Sequence, residues 1–164
     1  MTAIAAASTS TAIEACVVDA SVGVKLFLDE TLSDAAHALF LTLLTGDSAF
    51  IFVPDLFYIE CANVLWKHHR RFGLSRADAE IAVDQLGKLL LRSTPTALLM
   101  ADAFALAVDY DITTYDAAYA ALARRISAPL ITADQALLRK LTGSEIDVRW
   151  LGEWLPSENG AGNL

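Results

Sequence analysis

Cys16-Val17-Val18-Asp19-Ala20-Ser21 is the stretch on which the reading of the whole chain turns. Two β-branched valines behind a cysteine favour a short buried strand, and an aspartate closes it. The pattern returns at Pro129-Leu130-Ile131-Thr132-Ala133-Asp134, where an apolar run again leads to an acid. Phe50-Ile51-Phe52-Val53 is a third such run. Pro54 stops it, and Asp55 is placed to cap the next helix. Strands are thus expected at 16–19, 50–53 and 129–132, with a brief one at 111–113 and a last one at 147–151.

Helices are expected between them, at 20–29, 31–44, 56–72, 75–91, 96–108, 114–126 and 135–141. Gly73 closes one of these, and Ser75-Arg76-Ala77-Asp78 resembles the box that opens the next. Strands alternating with helices imply a mainly parallel sheet covered on both faces. With 164 residues the chain suits one domain, assigned to 16–155. Residues 1–15, rich in Ala, Ser and Thr, read as a flexible extension, and 156–164 as a disordered tail.

A hydrophobic fraction of 55% and a charged fraction of 20% describe a globular chain rather than a disordered one. No apolar run approaches the ~20 residues of a membrane span. No Lys or Arg precedes Lys25, so the positive start of a secretory signal is missing and a cytoplasmic protein is expected. Cys16 and Cys61 lie in apolar segments and read as free core thiols.

The acids carry the chemistry. Ligands of an open parallel sheet bind beyond the carboxyl ends of its strands. Asp19 and Asp134 fall at such ends, and Asp116 opens a helix after the brief strand at 111–113. Each has a plain structural explanation as a cap or turn residue. Glu60 does not, because it lies inside a helix among Leu56, Phe57, Asn63 and Val64 with no base three or four positions away. Unit charges ~5 Å apart repel by about 3 kcal/mol at an effective dielectric of ~20. Four such carboxylates would lose roughly 20 kcal/mol, more than the ~5–15 kcal/mol of a typical fold. The quartet must therefore take up protons or cations. Oxygen donors suit Mg²⁺, with Mn²⁺ as the second choice. The net charge of −8 argues against a polyanion as partner, but setting four ligands aside leaves −4, and Lys67-His68-His69-Arg70-Arg71 is a local basic cluster.

Four segments together resemble PIN domains: Val17-Val18-Asp19-Ala20-Ser21; Val53-Pro54-Asp55-Leu56 leading to Glu60 and Asn63; Tyr115-Asp116-Ala117-Ala118-Tyr119-Ala120-Ala121-Leu122-Ala123; and Leu130-Ile131-Thr132-Ala133-Asp134. The similarity runs from about Cys16 to Trp154 and is greatest to VapC-type toxins of toxin–antitoxin pairs. It implies a single PIN-like α/β domain with a five-stranded, mainly parallel sheet flanked by helices. It implies an Mg²⁺- or Mn²⁺-dependent endoribonuclease that leaves 5′-phosphate and 3′-hydroxyl ends, with transfer or ribosomal RNA as candidate substrates. A homodimer and a small VapB-type antitoxin are the implied partners. Asp19, Glu60, Asp116 and Asp134 match the acidic quartet, and Ser21 and Thr132 match polar positions beside it. No further acid follows directly after Asp134, which leaves one or two metal ions open.

Asn63, one turn from Glu60, is a candidate to orient it, with a surface amide as the plain alternative. Lys67, Arg70, Arg71 and Arg76 are the RNA-binding candidates, against a solvated helix end. Trp66, Phe57 and Tyr58 are expected in a core or interface. Other readings are a housekeeping RNA-processing nuclease without antitoxin, a phosphatase-like module, a metal-binding receiver and a non-catalytic PIN domain. A phosphatase usually has a second aspartate where Ser21 stands, and a receiver has a late lysine where Thr132 stands.

Overall fold

The computed structural model describes residues 14–45 and 50–154. Apart from Glu14 and Ala15, the expected extension and the expected tail lie outside the described residues. Strand β1 (Ala15–Val18) takes in Ala15 and buries Cys16, Val17 and Val18 completely. A strand with neighbours on both edges needs that apolar run. It pairs in parallel with β2 (Phe50–Pro54) on one side and with β4 (Leu130–Thr132) on the other, with Cys16 opposite Ile51 and Val18 opposite Ile131.

Beyond β2 lies β3 (Arg92–Thr94), and beyond β4 lies β5 (Val148–Trp150), giving an all-parallel sheet in the order β3-β2-β1-β4-β5. Chain order therefore reverses between β1 and β4. That reversal opens a crevice beyond the carboxyl ends of these two strands, the usual ligand position in such sheets.

Seven α-helices occur among the described residues: α1 (Ala20–Gly23), α2 (Ser33–Thr45), α3 (Leu56–Arg71), α4 (Arg76–Leu86), α5 (Met100–Tyr110), α6 (Thr114–Ile126) and α7 (Gln135–Leu141). Helix α6 packs on β1, β2, β4 and α5. Its residues Ala117 to Ala123 are all buried, and the run of alanines lets the backbone sit close to the sheet. This central helix carries both Asp116 and Tyr119. Among the described residues, no helix is long and apolar enough to cross a membrane.

Three elements depart from the sequence reading. Residues 111–113 form no strand: Asp111 turns left-handed at φ 51° to end α5, and Thr113 is the extended cap of α6. The fifth strand is instead Arg92–Thr94, and the helix expected to reach residue 91 stops at Leu86. Arg92 and Ser93 are exposed, so this edge strand has no apolar pattern by which to recognise it. The helix expected over 20–29 is α1 followed by a 3₁₀ turn at Val24–Leu26. Asp55 also differs. Its carboxylate does not cap α3 but accepts from the Thr96 amide at 2.8 Å and from the Thr96 hydroxyl, tying α3 to the chain after β3.

Gly23 sets the spacing between α1 and α3. A Cβ there would stand 2.4 Å from Phe57 Cζ and 3.2 Å from Cys61 Sγ, and Phe57 is fully buried. Gly23→Ala is expected to destabilise the fold by about 1–3 kcal/mol, the usual cost of overpacking. Urea unfolding checks this, and an unchanged midpoint would mean that α1 and α3 separate freely.

Candidate active site

Asp19 directly follows β1 and is only 4% exposed. Its side chain begins α1, with Oδ1 accepting from the Val22 amide at 3.2 Å and from the Ser21 hydroxyl at 2.5 Å. On the other side, Oδ2 accepts from the Thr132 hydroxyl at 2.5 Å. Thr132 is fully buried at the end of β4 and also accepts from the Asp134 amide at 2.9 Å. Ser21 accepts in turn from the Ala133 amide at 2.9 Å. The two polar residues matched by sequence thus clasp Asp19 across the crevice between β1 and β4.

Burial pushes the Asp19 carboxyl up to about 6, against the hydrogen bonds from Ser21, Thr132 and Val22, and the charge of Asp116 adds to the rise. Glu60 is half-buried on α3. Its carboxyl is also raised, first by burial and further by Asp116, while a hydrogen bond from Tyr119 opposes the shift. Tyr119 is buried on α6, and its hydroxyl donates to Glu60 Oε2 at 2.5 Å. Asp116 sits in the first turn of α6, where its amide donates to Thr113 Oγ1 at 3.1 Å and its Oδ2 accepts from that hydroxyl at 2.7 Å.

Asp19, Glu60 and Asp116 therefore share one electrostatic neighbourhood. Asp134 joins through its backbone, while its exposed carboxylate accepts from the Ala136 and Leu137 amides at 2.7 and 3.1 Å and starts α7. The plain roles considered for Asp116 and Asp134 are real, and both residues nevertheless stand at the crevice.

The cluster is looser than the sequence reading assumed. Among the described residues, no three His, Cys, Asp or Glu side chains stand close enough to enclose an ion as they are placed. The roughly 20 kcal/mol of repulsion reckoned for a tight quartet is correspondingly too large. The donors still fit a hard cation: they are oxygens, Asp19 is buried, and among the described residues none of the four acids forms a salt bridge. A buried carboxylate with no basic partner favours a cation.

Asn63 is exposed one turn along α3 and lines a surface hollow with Glu60. Lys67, Arg70, Arg71 and Arg76 are all exposed, and Arg76 is held by Glu80 at 2.7 Å. Tyr119 is the site residue given no role by the sequence reading. The available signal was its place three residues after Asp116, which puts both on one helix face. Trp66, expected in a core or interface, is 56% exposed.

The fold and site together define an α/β protein with an acidic, oxygen-donor centre at the switch point of a parallel sheet. The sequence profile of the PIN domain matches residues 16–142, and the chain belongs to the PIN domain family. It is 36% identical over 126 residues to Ribonuclease VapC3 of Pyrobaculum aerophilum, covering 76% of this chain and 92% of that protein. The crystal structure of PAE2754 from Pyrobaculum aerophilum is similar at a TM-score of 0.60 and 27% identity, over 88% of this chain and 94% of that one. VapBC2 from Rickettsia felis, crystallised bound to a DNA fragment from their promoter, is alike in fold, with a TM-score of 0.60 and 10% identity over 83% and 98% of the two chains.

Proposed function

We propose that this chain is a VapC-type toxin, an endoribonuclease that hydrolyses RNA at the Asp19–Glu60–Asp116 centre with Mg²⁺ or Mn²⁺. The observation that carries the reading is the set of acids without basic partners, among the described residues, around a buried Asp19, on a chain 36% identical to Ribonuclease VapC3. A divalent cation bound there would supply a Lewis acid that acidifies water and neutralises charge on the phosphodiester. Asp19, fixed by Ser21 and Thr132, would be the innermost ligand, and Asp116 and Glu60 would join it from α6 and α3. The hydroxyl of Tyr119 holds Glu60 Oε2, which leaves Oε1 to accept a proton from the attacking water. Asp134 lies at the outer edge of the same crevice. The purified chain should cut RNA, and absence of any cleavage across total cellular RNA with Mg²⁺ or Mn²⁺ present would reject the assignment.

A small antitoxin of the VapB type is the proposed partner. The named parts of VapBC2 support it, and the acidic crevice offers a place for an antitoxin Arg or Lys to make charge-assisted hydrogen bonds. Expression of the chain alone is expected to arrest growth, and co-expression of a VapB-type antitoxin to restore it. Free growth with an active enzyme and no co-purifying partner would favour an RNA-processing nuclease without antitoxin.

The chain is further proposed to form a homodimer through α5. Met100, Phe104 and Val108 recur every four residues there and are each more than 60% exposed, a stripe that water does not favour. Sedimentation should give a dimer for the chain and a monomer for Phe104→Asp. A dimer unaffected by that change would place the contact elsewhere.

A further inference from the structure

We propose that the exposed face of α3, from Glu60 through Asn63 and Trp66 to Arg70, is the track on which single-stranded RNA lies. In this arrangement Trp66 stacks on a base and Arg70 meets a phosphate. The proposal rests on the nuclease reading and adds to it the path of the substrate.

Two surface hollows meet on this helix. One, of about 610 Å³, is lined by Ile59, Glu60, Ala62, Asn63, Trp66 and Tyr115. The other, of about 490 Å³ between α3 and α4, has an apolar floor of Leu65, Ala79 and Val83 and a rim that includes Trp66, Arg70 and the Arg76–Glu80 pair, with Ala62 and His69 beside them. Trp66 and Ala62 belong to both, so the surface runs unbroken from the acid centre to the basic end of the helix. Trp66 is 56% exposed at the junction, so more than half of its surface is open to a partner.

The charges favour a polyanion. In a chain of net charge −8, four of the twelve Lys and Arg residues fall within 67–76. Among the described residues, Lys67, Arg70 and Arg71 form no ion pair, while Arg76 is matched by Glu80. His69 is turned toward the Leu74 carbonyl at 2.8 Å. Among the described residues, Arg70 is thus the free cation lining the second hollow. Ten residues of helix separate Glu60 from Arg70, about 15 Å, a span of a few nucleotides. A stacking aromatic beside a cation selects unpaired bases, because bases inside a duplex have no free face.

The test uses the full chain with Asp116→Asn to block cleavage, and a fluorescent, mixed-sequence single-stranded oligoribonucleotide whose anisotropy reports binding in Mg²⁺. Trp66→Ala is expected to weaken binding about tenfold and Trp66→Phe by no more than about threefold, since a phenyl ring still stacks. Arg70→Ala should weaken binding and lower the slope of log affinity against log salt by about 0.7, the loss of one phosphate contact on a single strand. These side chains are exposed, so melting temperatures should hold. If Trp66→Ala and Arg70→Ala bind like their parent while the wild type cleaves RNA, the track is wrong and the nuclease stands. If the wild type neither binds nor cleaves RNA, both readings fall. If Trp66→Ala loses only a co-expressed antitoxin and keeps its RNA affinity, the hollow belongs to a protein partner and the proposal is overturned.

Discussion

Asp19→Asn, Glu60→Gln and Asp116→Asn are each expected to lower RNA cleavage by on the order of a thousandfold, the effect of removing one electrostatic partner from a reacting centre. The same changes should leave the cation-free fold intact or firmer. Asp19 shows why. Its carboxyl sits near 6 in the fold against an ordinary value of 3.8, chiefly through burial. The folded chain therefore holds a proton that the unfolded chain releases, and stability falls as pH rises from about 4 through about 6. Above that window the ionised side chain costs about 3 kcal/mol, since each pH unit between the two values is worth about 1.36 kcal/mol. Asn carries no such charge. Cation-free Asp19→Asn should thus be more stable than the wild type at pH 7, and the gap should close near pH 4. Glu60 is raised too, so Glu60→Gln should show the same sign. Activity and urea unfolding are measured on one preparation. An active Glu60→Gln enzyme, or an Asp19→Asn chain that unfolds more easily at pH 7, would remove the basis of the assignment.

The second large effect is the cation requirement and the chemistry of the ends. EDTA is expected to abolish cleavage, and Mg²⁺ or Mn²⁺ to restore it. Water attacking in line from outside the RNA leaves a 3′-hydroxyl and a 5′-phosphate, and the 2′-hydroxyl takes no part. A histidine-based ribonuclease would instead pass through a 2′,3′-cyclic phosphate. The three histidines lie elsewhere: His37 bonds the Ser33 carbonyl on α2, His68 approaches Glu30, and His69 bonds Leu74. Mass spectrometry of the fragments decides between these routes. A cyclic phosphate, or full turnover in EDTA, would exclude the proposed mechanism.

The strands that position Asp19 and Asp134 were legible because each has a strand on both edges and carries a fully buried apolar run, Cys16-Val17-Val18 and Leu130-Ile131. The edge strand Arg92–Thr94 was not, because exposed polar residues carry no period. Residues 111–113 misled in the opposite way: Ile112 between two polar residues imitates alternation, yet a left-handed Asp111 and an extended Thr113 make a helix-to-helix turn. Strand ends and a helix start pointed to Asp19, Asp134 and Asp116, each with a plain local role, and Glu60, which no local role explained, made the joint pattern telling. Its partner Tyr119 stayed hidden, since a tyrosine within a buried run of alanines looks like packing alone. The looseness of the cluster was equally invisible, for sequence gives the edge on which acids gather but not the distances between them.

The clasp between Thr132 and Asp19 joins residues 113 positions apart. β1 opens the described fold, yet its neighbour β4 follows it by more than a hundred residues. At roughly 5–20 residues per second, the innermost acid waits several seconds for its counterpart to be translated. A growing chain therefore cannot complete the centre before β4 has followed β1. For an enzyme whose substrate is RNA, the ribosome making it would be the nearest victim, and this strand order delays assembly of the centre until β4 has been made.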